Sequence, residues 1–259
     1  MPAHESSRTE PEPRPAEGAV AFEEGDFHSL SEGLARDPQY NDRRLVLRRK
    51  LAALAKDFVA RPRRPKLALA SRTSLHNPHA FNGMRVRRIW AYACRDKAEK
   101  GRLKRVVGAD LAKDLDAAFR NAYFCLAAEA EALEVSLRIH SDAWFDGANF
   151  QRRVKREGLD ELLTILNRLD GFFLRLADWK GEWRCGELRA DRLREFFEYY
   201  EPGTHALAVE RVWPGPRDSA ARAALCGDGV GAQLVEELAR LEPLYRFAAW
   251  SKTSDHLFG

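Results

Sequence analysis

Residues 122–140 read AYFCLAAEAEALEVSLRIH, and this stretch decides the fold class. In its second half Leu133, Val135, Leu137 and Ile139 alternate with polar residues. Such alternation is typical of a half-buried β-strand, because successive side chains point to opposite faces of a sheet. The first half is ambiguous, since its alanines favour a helix whereas its aromatic residues favour a strand. We predict a β-hairpin over the whole stretch.

Strand patterns recur on both sides of this hairpin. A two-residue turn at Lys180 and Gly181 predicts another hairpin in which Leu176 pairs with Cys185. Further alternating segments predict single strands. The predicted strand regions outside 122–140 are 66–72, 84–95, 172–188 and 205–213.

Helical patterns lie between these strands. Leu47, Leu51, Leu54 and Phe58 form one apolar stripe and predict a helix over 42–60. Strands in hairpins, mixed with helices but without a regular βαβ rhythm, indicate an α+β fold with a largely antiparallel sheet. The other predicted helical regions are 97–121 with a break at Gly108, 148–157, 159–169, 189–200 and 230–241, with a short helix before Pro38.

The N-terminal segment differs from the rest of the chain. Residues 1–25 are acidic and contain four prolines, with few large apolar side chains. Such a segment buries too little apolar surface to offset its ordering entropy, so we predict that it is disordered. The remaining residues, 26–259, are predicted to form a single α+β domain.

Composition excludes several classes of protein. The chain has 259 residues, of which 45% are hydrophobic, so it can form a sizeable core. It lacks an apolar run of about 18 residues and does not begin with a signal-peptide pattern, so we expect no membrane partner and a cytoplasmic location. Its four cysteines are isolated and are expected to be reduced thiols.

Charge is distributed in three zones along the chain. Residues 41–108 carry a net charge of +16, whereas 1–40 and 109–259 carry −6 each. A basic face of this kind attracts polyanions, so the leading hypothesis is nucleic-acid binding. The alternative interpretation is that these arginines pair with the acidic zones. The residues chosen as candidates for binding nucleic acid are Arg61, Arg63, Arg64, Lys66, Arg85, Arg87 and Arg88.

Two polar loops suggest a different function. The loop at 73–83 contains His76 and His79, and the loop after the strand at 133–140 contains His140 and Asp142, with Asp146 four residues further on. Imidazoles and carboxylates in one cleft could hold a divalent metal or carry out acid–base catalysis. The competing interpretation is that these residues belong to ordinary turns.

Three functions therefore remain open at the level of sequence. The first is binding of nucleic acid or another polyanion through residues 41–108. The second is a metal-dependent or phosphate-directed enzyme with His76, His79, His140 and Asp142 as catalytic residues, which requires the two loops to face a common cleft. The third is an interaction module for an acidic protein. The sequence specifies no cofactor, no particular metal and no oligomeric state.

Overall fold

A seven-stranded antiparallel sheet organises this protein and confirms the predicted α+β class. The structure, a computed structural model, describes residues 20–63, 65–74, 84–108, 110, 115, 117–216 and 218–258. In chain order the strands are β1 (Leu69–Thr73), β2 (Arg88–Arg95), β3 (Tyr123–Glu129), β4 (Ala132–Ile139), β5 (Phe173–Leu176), β6 (Trp183–Arg184) and β7 (Leu207–Pro214). Across the sheet their order is β1-β2-β3-β4-β7-β5-β6, and each neighbouring pair is antiparallel.

The hairpin predicted over 122–140 is confirmed as β3 and β4. The two strands pair from Tyr123 opposite Arg138 to Glu129 opposite Ala132. The four alternating apolar residues of β4 are all buried in the main core. The alternation therefore identifies the face of the sheet that packs in the main core.

Helices pack against that face and share the main core with it. The apolar stripe of the second helix, including Leu47, Leu51 and Phe58, is fully buried against the sheet and the eighth helix. A π-turn at Val154–Gly158 joins the fourth and fifth helices. The helices are α1 (Glu24–His28), α2 (Asn41–Ala60), α3 (Lys97–Val107), α4 (Trp144–Arg153), α5 (Leu159–Asn167), α6 (Ala190–Tyr199), α7 (Ser219–Cys226), α8 (Val230–Arg240) and α9 (Glu242–Ala248), with 3₁₀ turns at Pro38–Tyr40 and Ala118–Arg120.

Some boundaries and one register differ from the predictions. Helix α4 begins at Trp144, so the sequence Asp146-Gly147 lies in its first turn and not in a loop. In the β5–β6 hairpin, Leu174 pairs with Trp183, and the Cys185 amide donates to the Phe172 carbonyl. The predicted pairing of Leu176 with Cys185 is therefore wrong, because the connection is longer than a two-residue turn.

The folded part of the chain begins earlier than residue 26. Phe22 is buried in the main core, and Val20 packs against that core. Residues 20–25 therefore correct the predicted boundary of the disordered segment, while residues 1–19 lie outside the described residues. Across the described ranges, none of the helices has the length and apolar character needed to cross a membrane.

Gly215 provides a test of the packing at the end of β7. Its amide donates to the Glu131 carbonyl, and a Cβ placed there would lie 2.6 Å from the Ala130 carbonyl oxygen. We expect Gly215→Ala to lower the free energy of unfolding by about 1–3 kcal/mol, because the backbone of the β3–β4 turn must shift.

Gly101→Ala is the matched control. Gly101 lies within α3, and a Cβ there would meet no atom within 4 Å. This substitution should raise stability by up to about 1 kcal/mol, because alanine has the higher helix propensity. Chemical denaturation measures both effects, and equal stability of the two variants would contradict the packing argument.

Candidate anion-binding cleft

The structure describes one of the two polar loops predicted to form a catalytic site. His76 and His79 lie outside the described residues. The side chains of His140 and Asp142, which follow β4, are 44% and 47% exposed. The Asp142 amide donates to His140 Nδ1 at 3.2 Å, and the His140 ring contacts Phe119 edge-on. These contacts describe a surface turn.

The expectation that the two loops face one cleft stays a prediction, because residues 75–83 lie outside the described residues and strand directions locate only the points where the loops attach. Strands β2 and β4 are both antiparallel to β3, so they run in the same direction. The loop at 73–83 leads into the start of β2, whereas His140 follows the end of β4. The two loops therefore attach at opposite ends of the sheet, separated by a strand of roughly 25 Å. Among the described residues, no group of three or more His, Cys, Asp or Glu could hold a metal ion.

Asp146, the second acid of that predicted site, forms a buried ion pair instead. Both of its carboxylate oxygens accept from the Arg95 guanidinium, with Nη1 to Oδ2 at 2.6 Å. The same carboxylate accepts from the backbone amides of Ala122, at 2.7 Å, and Trp250, at 2.8 Å. Arg95 Nη2 also donates to the Trp250 carbonyl at 2.7 Å. The pair thus joins the end of β2, the start of β3, the first turn of α4 and the segment after α9.

The charges of this pair stabilise each other. Burial alone would lower the pKa of the Arg95 guanidinium, but the Asp146 carboxylate raises that pKa above its ordinary value. Arg95 therefore remains a cation. Asp146 is fully buried and bonded on both oxygens, so its role is structural.

Next to this pair lies a cleft of about 700 Å³ whose lining is strongly basic. In the part of the chain that the structure describes, its wall includes one carboxylate, that of Glu99, and several hydroxyl groups. Three of its cations come from the predicted basic zone, and three come from the zone of net negative charge. The cationic side chains of the cleft are Lys66, Arg95, Arg102, Arg153, Arg246 and Lys252.

Arg153 fixes the C-terminal wall of the cleft. Its Nη1 donates to the Phe247 carbonyl at 3.2 Å and to Ser254 Oγ at 3.3 Å, and its guanidinium lies 4.0 Å from the Phe247 ring centroid. Ser251 and Ser254 pair as an isolated β-bridge. Lys252 lies within this turn, exposed and lining the cleft. Arg153 and the bridge therefore hold a short basic turn against the cavity.

A second cavity, of about 690 Å³, adjoins the first. Both cavities are lined by residues 66–69, so this segment lies between them. The second cavity adds Arg61, Arg63 and the carboxylate of Asp96 to the lining. Together the two cavities form a basic groove at the end of the sheet where β2 ends.

Several of the predicted binding residues have partners within the chain. Arg61 forms an ion pair with Glu236, and Arg87 forms one with Glu32. Arg63 Nε donates to Glu242 at 2.5 Å, and its Nη1 donates to the Val59 carbonyl at the end of α2. For these residues the contacts support the interpretation that arginines of the basic zone pair with residues of the acidic zones.

The remaining predicted residues lie in two different places. Arg88 contacts Glu129 and Glu134 at the start of β2. Arg85, near the same end, is exposed, whereas Lys66 is exposed in the groove at the other end of the strand. Arg64 lies outside the described residues. The predicted basic face is therefore divided between the two ends of β2.

The chain also lacks an activated thiol among its buried cysteines. Burial raises the pKa of Cys125 and of Cys185 to about 12, and it raises the pKa of Cys94 as well. These three side chains are buried core residues.

Asp146→Asn should destabilise the protein strongly. The substitution leaves Arg95 buried without its counter-charge, which typically costs about 3–5 kcal/mol. Asp142→Asn is the matched control, and at this exposed site the free energy of unfolding should change by less than about 0.5 kcal/mol. Urea denaturation measures both, and a loss below about 1 kcal/mol for Asp146→Asn would show that the ion pair does not hold these elements together.

Comparison with known proteins supplies no family for this chain. No family model matches it, and no curated protein is significantly similar to it in sequence. The residues of the basic groove therefore provide the basis for a functional proposal.

Proposed function

We propose that this protein binds a nucleic acid through its phosphates in the basic groove. The observation that carries the proposal is the lining of the first cleft, where Lys66, Arg246 and Lys252 have no carboxylate partner among the described residues. Lysine and arginine side chains that neutralise phosphates release counterions, and this release supplies most of the affinity of non-specific nucleic-acid binding.

Three of the cleft cations have no carboxylate partner in the described part of the chain. Lys66 and Lys252 are exposed and make no ion pair there, and Arg246 donates only to the Pro65 carbonyl. The other three, Arg95, Arg102 and Arg153, are paired with Asp146, Glu99 and Glu161. The unpaired cations provide the local positive charge that would attract a phosphate chain.

The shape of the groove favours a polyanion over a single small anion. Two cavities of about 700 Å³ and 690 Å³ meet along residues 66–69, which is more space than one phosphate group requires. Serine and threonine hydroxyls at 251, 253 and 254 can donate to phosphate oxygens alongside the cations.

The aromatic residues of the groove favour phosphate recognition over recognition of bases or of a protein. Tyr245 and Trp250 line it, but both are buried and offer no free ring face. Stacking of bases needs exposed rings, and protein interfaces are usually anchored by such side chains. We therefore infer binding with little sequence preference. The cytoplasmic location expected from the sequence stays a prediction.

The proposal predicts salt-dependent binding that depends on the groove. Fluorescence anisotropy with a labelled single-stranded oligonucleotide should give a dissociation constant that rises steeply with salt. Lys66→Glu combined with Lys252→Glu should raise that constant at least about tenfold and reduce the slope of log K against log salt by about 1.4, because two phosphate contacts to a single strand are lost.

The matched control is Arg49→Glu combined with Lys56→Glu. Both residues are exposed on α2, outside the groove, and the double substitution changes the net charge by the same amount. If the control variant loses as much affinity as the groove variant, the binding follows net charge and the proposal is wrong. Absence of binding by the unaltered protein at low salt would also overturn it.

A further inference from the structure

A third cavity, of about 450 Å³, adjoins the basic groove. It shares Arg153 and Arg246 with the first cavity of the groove, so these two side chains lie at the border between the two spaces. The first cavity in turn shares residues 66–69 with the second. Among the described residues, the second and third cavities have no lining residue in common. The three cavities therefore form a series with the first cavity in the middle.

One face of α5 lines the third cavity. The opposite face of this helix, which includes Leu162, is buried in the main core. The side chains that the helix and the residue after it contribute to the cavity are Glu161, Thr164, Ile165 and Arg168. They lie at positions i, i+3, i+4 and i+7, which fall on one side of an α-helix. At about 1.5 Å per residue, this lining extends for about 10 Å along the helix.

The described lining of the third cavity carries a net positive charge. Arg153 forms an ion pair with Glu161 at 2.9 Å, so these two charges balance. Arg246 donates to the Pro65 carbonyl and has no carboxylate partner in the described ranges. Arg168 is exposed and makes no ion pair there either. Two cations of this cavity are therefore not balanced by a carboxylate.

Cations without a carboxylate partner are thus distributed over the whole series of cavities. Lys66 lines the second and first cavities, and Lys252 lines the first. Arg246 lines the first and third, and Arg168 lines the third. A nucleic-acid strand has charges that repeat along its length, so it can contact all of these positions, whereas a single phosphate cannot. Proteins that bind single strands without sequence preference commonly use a positively charged groove that follows the backbone.

The aromatic residue of the third cavity also favours phosphate contact over base stacking. Phe247 lines this cavity but is buried, and the Arg153 guanidinium lies 4.0 Å from its ring centroid. Its ring therefore offers no free face on which a base could stack. The third cavity has this property in common with the groove.

We propose that the nucleic-acid strand bound in the groove continues through the third cavity, and that Arg168 contacts a phosphate at this end of the site. The inference rests on the proposed function, because it concerns the length of strand that the same site accommodates. Sites for single strands cover about 4–16 nucleotides in other proteins. A strand at the short end of this range would occupy the groove alone, whereas a longer one would also reach Arg168.

Arg168→Glu tests the proposal when two lengths of ligand are compared. Fluorescence anisotropy is measured with labelled single-stranded oligonucleotides of about 4 and about 16 nucleotides. For the longer one, the substitution should raise the dissociation constant at least about fivefold and reduce the slope of log K against log salt by about 0.7, because one phosphate contact is lost. For the shorter one, the constant should change by less than about twofold.

Arg36→Glu is the matched control for the change in net charge. Arg36 is exposed, and the carbonyl of the preceding Ala35 accepts from the amide of Val86, just before β2 begins. This site is therefore at the end of β2 opposite to the groove. Arg168→Lys is a second control, and it should retain most of the affinity for the longer oligonucleotide, because it keeps the positive charge. Thermal unfolding verifies that all variants fold.

The outcomes separate this proposal from the proposed function. If the unaltered protein binds neither oligonucleotide at low salt, the proposed function is wrong and the extension of the site is wrong with it. If the protein binds both but Arg168→Glu weakens them equally, or no more than Arg36→Glu does, the groove remains the binding site and the extension through the third cavity is wrong. A loss confined to Arg168→Glu and to the longer oligonucleotide supports the extension.

Discussion

The ion pair between Arg95 and Asp146 is the interaction on which most of the described site depends. Two opposite charges in a dry interior are stable only when their remaining hydrogen-bonding groups are also satisfied. Here the amides of Ala122 and Trp250 donate to Asp146, and the Trp250 carbonyl accepts from Arg95. The pair therefore fixes where β3 starts and where the chain leaves α9. Lys252 follows Trp250 by two residues, so the position of this groove cation depends on the buried pair.

The groove and the face of the sheet opposite the main core use the same residue types in different ways. In the groove, lysines and arginines outnumber the carboxylates among the described residues, so part of their positive charge is not balanced by a neighbouring carboxylate. On that face Arg88, Arg138 and Arg175 each contact a glutamate, so their charges are balanced within the chain.

The sheet hairpin and the long helix α2 could be predicted from sequence because their signals are local. Alternation at Leu133 to Ile139 and the stripe at Leu47 to Phe58 need no tertiary information. Asp146 could not be recognised in this way. The dipeptide Asp-Gly is a common turn signal, and its role as the partner of Arg95 depends on a contact between residues 51 positions apart. The prediction of the β5–β6 register was wrong for a related reason. The register of a hairpin depends on the length of its connection, which is longer here than the predicted two-residue turn.

The charge zones illustrate why net charge along the chain does not locate a binding site. Arg61 and Glu236 are 175 positions apart in sequence yet form an ion pair, so the acidic C-terminal zone neutralises part of the basic one. Conversely, Arg153, Arg246 and Lys252 belong to a zone of net negative charge but line the groove. A ligand encounters the charge of those side chains that have no ion-pair partner in the folded protein. The basic zone predicts that a cationic surface exists, but its position is set by which cations the fold leaves without a partner.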